Sequence, residues 1–172
     1  MIIRIDEIQT SPSDFELELH PWEFDSQNDG FVLHSSTQAK IRVSRVGLDI
    51  EVYGYIPAEL QLECCRCLES KIFPVQKYFY AIYRDAKWME TREEVELEAD
   101  DLLVSYYSGD TLNLTEVIRE QLILAIPIQV FCKADCAGLC PQCGQNLNFR
   151  RCSCRENKID PRLAVLAKLL EN

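Results

Sequence analysis

Four close pairs of cysteines constrain this chain more than anything else in it. Cys64 and Cys67 stand in E-C-C-R-C-L. Three further pairs (Cys132 with Cys136, Cys140 with Cys143, Cys152 with Cys154) fall within C-K-A-D-C-A-G-L-C-P-Q-C-G-Q-N-L-N-F-R-R-C-S-C. Eight paired thiols match two tetrahedral four-sulfur zinc sites, and Cys65 is the ninth, odd thiol. The sharpest signal is C-P-Q-C-G, where two residues separate the thiols. There Pro141 fixes a backbone angle inside the turn and Gly144 permits positive φ just after it. Backbone N–H groups in such a turn can stabilise thiolate charge. The competing reading is a buried or disulfide-bonded pair. Cys152-Ser153-Cys154 is less diagnostic alone but lies close enough to complete the same site.

The chain order suggests how the thiols share ions. Cys140, Cys143, Cys152 and Cys154 can close one local site with a short loop between the pairs. That leaves Cys132 and Cys136 to meet Cys64 and Cys67 in a long-range site that clamps the C-terminal part to the rest. The alternative is a single ion drawn from the six downstream thiols, with Cys64 and Cys67 free. One or two Zn2+ ions are therefore expected.

The 172 residues are enough for a real core and a small appendage. No apolar run is long enough to span a bilayer, and the N-terminus M-I-I-R-I-D-E-I lacks a signal-peptide pattern, so a cytoplasmic location is expected. In that reducing compartment clustered cysteines point to metal or redox chemistry before disulfides. The formal net charge of −10 is unevenly spread: residues 90–101 hold seven acids against Arg92, whereas residues 132–158 carry five bases against two acids. A basic metal module invites a nucleic-acid reading, and the bases can equally offset the −2 of a zinc tetrathiolate. The acidic run reads as a solvated loop or short helix able to meet a basic partner.

Along the chain, Ile3, Ile5 and Ile8, and then Phe15, Leu17 and Leu19, alternate with polar residues as strands do. Trp22, Phe24 and Phe31 read as cover for the core. Ile41 and Val43, then Leu48, Ile50 and Val52, predict a hairpin turning at Ser44–Gly47. Leu60, Leu62 and Cys64, followed by the aromatic run 75–83, place Cys64 and Cys67 at the tip of a second hairpin. Residues 102–107 give one more strand. A helix is expected at 113–126, with Asn113 and Glu116 as a capping box and Leu114, Val117, Ile118, Leu122 and Ala125 on one face. A last helix follows Asp160-Pro161, with Leu163, Leu166, Leu169 and Leu170 as its stripe. The fold class is thus α+β: an antiparallel sheet with one packed helix, then a C-terminal cysteine-rich zinc module with a terminal helix. The expected division is 1–127 and 128–172.

Taken in order, L-E-C-C-R-C-L, I-L-A-I-P, the downstream cysteine run and D-P-R-L-A-V-L-A-K-L-L resemble the YceD family of bacterial and plastid proteins, from Leu62 to the C-terminus. The C-x-R-C pair of that family falls on Cys64, Arg66 and Cys67, and its downstream cysteines on Cys132, Cys136, Cys140, Cys143, Cys152 and Cys154. The resemblance implies a non-catalytic factor for accumulation, processing or assembly of large-subunit (23S) ribosomal RNA, with no small-molecule substrate. Its partner would be the RNA precursor, met through Arg66, Lys133, Arg150, Arg151 and Arg155, or a basic ribosomal protein met through the acidic run. Two other classes compete: a thiol–disulfide redox protein using Cys64 and Cys67, which lack a β-α-β setting, and a zinc-ribbon nucleic-acid-binding regulator.

Overall fold

A run that alternates apolar and polar residues buries one face when laid into a sheet. The computed structural model of this chain describes residues 1–24, 29–88 and 104–154. Its strands are β1 Ile2–Arg4, β2 Ser13–Leu19, β3 Val32–Leu33, β4 Thr37–Val46, β5 Asp49–Glu63, β6 Ser70–Asp85, β7 Val104–Tyr107 and β8 Thr111–Asn113. One α-helix, α1, spans Leu114–Ala125. The architecture is α+β, and no helix among the described residues is long and apolar enough to cross a membrane. The expectations for residues 90–101 and for the terminal helix lie outside the described residues.

The spine is the β5–β6 hairpin, paired without interruption from Asp49↔Arg84 to Glu63↔Ser70. Along the other edge of β5, β4 pairs with residues 49–55 and β3 with Leu60 and Gln61. The sheet order is β2-β4-β5-β6-β7, and β1 and β8 form a separate two-stranded ribbon. One pairing departs from the antiparallel expectation: β7 runs parallel to β6. Parallel neighbours need a long crossover rather than a tight turn, so no local signal announces them.

The β4–β5 turn also differs from expectation. Ser44, Arg45 and Val46 stay in the ladder, and the loop is Gly47 and Leu48, with Gly47 at φ 61. Leu48 is therefore exposed instead of joining the strand's inner face. Trp22, expected as core cover, is 77% exposed and stacks on His20 with centroids 4.2 Å apart. Phe24 and Phe31 do enter the core.

The inner face of the sheet presents Leu17, Ile41, Val43, Ile50, Val52, Ile56 and Leu60, all buried in one cluster. Helix α1 adds Leu114, Val117, Ile118 and Leu122, each worth about 1.5–3 kcal/mol on burial. The side chain of Asn113 caps α1 by accepting from the Thr115 N–H at 3.1 Å. Glu116 takes Arg119 at 2.9 Å, the role the capping-box pattern did not assign it. Gly54 faces Phe79 across the ladder, and the Phe79 ring lies where a Cβ would stand. On the outer face, Tyr53 stacks on Tyr80 and Tyr55 on Tyr78, at 4.6 and 4.4 Å.

Candidate metal centre

The long hairpin delivers its tip to the C-terminal cysteines. Residues 64–69 close the β5–β6 loop, with Cys64 N–H donating to Glu69 C=O at 3.0 Å and Leu68 N–H to Cys64 C=O at 2.9 Å. This tight turn holds Leu68 at φ 60 and aims Cys64 and Cys67 to one side. Cys65 is turned to the other, where it ties the turn to the chain leaving α1: its N–H donates to Val130 C=O (2.8 Å), and Val130 N–H donates to its Sγ (3.3 Å). The odd thiol thus has a structural place.

The eight paired thiols come together in two groups of four. Cys64, Cys67, Cys132 and Cys136 form one, Cys140, Cys143, Cys152 and Cys154 the other; within each, all four sulfurs lie within 4.8 Å of one another. In the first group the Cys64–Cys136 and Cys67–Cys132 sulfur separations are 3.8 and 3.6 Å. A zinc–sulfur arm of about 2.3 Å gives a tetrahedron with an edge of about 3.8 Å, whereas a disulfide needs about 2.05 Å. Each group can therefore hold a metal ion, and the donor set of four soft thiolates suits zinc or iron–sulfur chemistry.

Local electrostatics follow from the turns. Burial pushes the Cys64 thiol up, but N–H groups of Arg66, Cys132 and Cys67 outweigh it and bring it down to about 6. Burial and then the neighbouring thiols push Cys132 up to about 12. Cys140 is brought down to about 6 by the N–H groups of Gln142 and Cys143, while the thiols of Cys143 and Cys152 drive Cys154 up to about 12. Lowered and raised thiols thus stand side by side, Cys64 and Cys136 against Cys67 and Cys132 in the first group and Cys140 against Cys152 and Cys154 in the second. A divalent cation removes that conflict by taking the place of the protons.

The loop between Cys143 and Cys152 serves both groups. Gly144, at φ 70, donates its N–H to Cys140 C=O (2.9 Å), and Cys140 N–H donates to Gln145 C=O (2.8 Å). Further along, Asn148 reaches the first group: its Nδ2 donates to Cys136 Sγ at 3.3 Å, and its Oδ1 accepts from Ala137 N–H at 2.9 Å. That donation lowers the Cys136 thiol. Asn148 was not among the residues singled out from the sequence; two asparagines in a cysteine loop, in Q-N-L-N, were the available signal. Leu139 N–H meets Arg66 C=O at 3.0 Å, with Gly138 at φ 75 so close that a Cβ there would stand 3.1 Å from the same oxygen.

Of the basic residues considered for RNA, Arg66 has its guanidinium engaged, donating to Cys136 C=O at 3.0 Å and lying 4.6 Å from the Phe131 ring centroid. Lys133 is paired with Asp135 at 3.9 Å. Arg150 and Arg151 are exposed, and Arg155 lies outside the described residues. Cys64 and Cys67 sit between two strands, not at the strand-to-helix turn of a redox cysteine pair.

A sequence model described as "Large ribosomal RNA subunit accumulation protein YceD" matches residues 52–170, which include all eight paired cysteines. The chain belongs to the YceD family. Family relatives include the Bacillus subtilis protein YlbN, 30% identical over 139 residues, covering 78% of this chain and 72% of that one. A Mycobacterium tuberculosis protein, Rv2926c, is 34% identical over 132 residues, covering 76% of this chain and 60% of its own length. This chain thus spans about three-fifths of its mycobacterial relatives. A third relative, from Arabidopsis thaliana, bears the name "Large ribosomal RNA subunit accumulation protein YCED homolog 1, chloroplastic"; it is 35% identical over 60 residues, 35% of this chain and 19% of that protein. No solved structure matches the chain.

Proposed function

We propose that this YceD-family chain is a non-catalytic, zinc-clamped binding factor that supports accumulation, processing or assembly of large-subunit (23S) ribosomal RNA. The observation that carries the reading is the family match over residues 52–170, whose name is that of an accumulation protein for this RNA. The geometry supports a binding role. Two tetrathiolate groups suit two Zn2+ ions in closed structural sites, because four protein ligands leave no open position for a substrate or an activated water. Cys64, Cys67, Cys132 and Cys136 clamp the module to the β5–β6 hairpin, and Cys140, Cys143, Cys152 and Cys154 order the knuckle beyond it.

The partner is the large-subunit RNA precursor, met through the metal module, and the location is the cytoplasm, where such precursors mature. Sedimentation tests the reading. The metal-loaded chain, run through a gradient with particles from cells assembling ribosomes, is expected to travel with large-subunit precursors at low salt and to leave them as salt rises. Absence from every precursor fraction under mild salt rejects it.

A further inference from the structure

The loop that closes the second thiol group is rigid where it faces inward and bare where it faces out. Asn148 N–H and Nδ2 both donate to Asn146 Oδ1 (3.0 and 2.9 Å), and Leu147 N–H donates to Gly138 C=O at 2.9 Å. The next three residues, Phe149, Arg150 and Arg151, turn outward. The Phe149 ring is 74% exposed, and the N–H groups of Phe149 and Arg150 share the Asn146 carbonyl at 3.4 Å.

The two arginines differ from the other described ones. Arg4, Arg42, Arg84 and Arg119 are ion-paired with Asp6, Asp14, Asp49 and Glu116. Arg45 and Arg66 donate to the carbonyls of Ile5 and Cys136. Among the described residues, neither Arg150 nor Arg151 has a side-chain partner of any kind. Among the described residues, the side chain that donates to a first-group sulfur is Asn148, to Cys136, while the Arg66 backbone N–H donates to Cys64 Sγ.

We infer that Phe149, Arg150 and Arg151 form a recognition element for unpaired RNA, with a base stacked on the Phe149 ring and backbone phosphates held by the two guanidinium forks. The inference deepens the reading above and rests on it. An aromatic ring set beside free arginines matches the chemistry of single-stranded nucleic acid, which offers an open base face and a phosphate together. An A-form duplex keeps its base faces stacked and would leave the ring idle. An acidic peptide would engage the arginines but not the ring. In an acidic protein, whose net charge is −10, two guanidiniums without a partner among the described residues mark their loop as a place where an anion can approach.

The test is fluorescence anisotropy of the full, zinc-loaded chain with three labelled probes: a mixed-sequence 12-nucleotide RNA strand, the same strand in a duplex, and a poly-glutamate peptide. Tightest binding to the single strand is expected. Phe149→Ala should weaken it about 5- to 150-fold, the range that base–aromatic stacking spans, while Phe149→Trp retains it. Phe149→Leu, which keeps the apolar volume, should behave like the alanine variant and guards against a folding artefact, with zinc content measured on every variant. Arg150→Gln and Arg151→Gln should each remove about 0.7 from the log–log salt slope. Unchanged affinity in both Phe149→Ala and Phe149→Leu overturns the inference, as does equal or tighter binding of the duplex or the peptide. A chain that travels with precursor particles while binding no single strand also overturns the element, and leaves the ribosomal reading standing. Loss of both places the failure in the reading itself.

Discussion

Replacing Asn148 by Ala isolates the contact through which one thiol group supports the other. The variant removes the Nδ2 donation to Cys136 Sγ at 3.3 Å and the Oδ1 acceptance from Ala137 N–H, together with the loop's own Nδ2 bond to Asn146 Oδ1 at 2.9 Å. The second loss is mild, since that N–H lies at the surface and water can replace the acceptor. The first concerns a charged acceptor in a buried group, where a hydrogen bond is worth about 1.5–3 kcal/mol. Groups that orient and stabilise metal ligands from the next layer out carry about 10- to 100-fold in metal affinity, which is the same range. Asn148→Ala should therefore weaken zinc binding at Cys64, Cys67, Cys132 and Cys136 by about 10- to 100-fold, with little change at the other group. Competition against a chromophoric chelator resolves the two affinities, and cobalt substitution checks that both sites stay tetrahedral. Because the loop carrying Asn148 is closed by the second group, Cys143→Ser should weaken the first site by a similar factor. A change below about threefold at the first site, or equal weakening of both sites by Asn148→Ala, would refute the reasoning.

Cys64→Ser should lower bound zinc by about one equivalent, because a four-thiolate site that loses a ligand loses its folding-coupled affinity; metal analysis that shows unchanged zinc and unchanged stability sinks the clamp. Gly54→Ala drives a Cβ into the Phe79 ring and should cost about 1–3 kcal/mol in thermal unfolding, a penalty that disappears in the Phe79→Ala background. The Arg84 guanidinium holds the Asp49 carboxyl below its ordinary value. This stabilisation is fully present above the unfolded carboxylate pKa of about 3.9 and is lost as pH falls through the lowered folded value. Solvent screening keeps the pair near 1 kcal/mol, so Asp49→Asn should cost about that at pH 7 and progressively less as pH falls below about 4; a cost that does not shrink with falling pH would show the loss is not ionic.

Much of the fold could be read from residue alternation, because the faces of β2, β4 and β5 differ so sharply in burial. Leu17, Ile41 and Val52 are inside, and Glu16, Arg42 and Tyr53 are outside. The turn at Ser44–Gly47 was misplaced because Ser44, a polar residue, is itself buried and paired with Glu51. Trp22 was misplaced because it sits on a one-turn 3-10 helix, Pro21–Glu23, where stacking on His20 suffices and the core is not reached. The strand expected at 102–107 is present as β7, but its parallel pairing with β6 had no local cue. Among the thiols, spacing identified the pairs, since each pair is a local turn. Asn148 stayed hidden because it acts on Cys136 from across a loop, through a contact that no spacing encodes. The expectations for the acidic run and the terminal helix fall outside the described residues.

The first thiol group joins residues far apart in the order of synthesis. Sixty-five positions separate Cys67 from Cys132. At about 5–20 residues per second, the hairpin tip leaves the ribosome roughly 3–13 s before its partners do. In that interval Cys64 and Cys67 are half a chelate, able to hold an ion weakly or exchange it with any passing thiol. Helix α1, which covers the inner face of the sheet, emerges just ahead of Cys132, so the core and the metal site become completable almost together. Four-thiol capture of a metal at this group would therefore act as a timer set by translation: it would report that synthesis has passed Cys136 and that the sheet has received its helix.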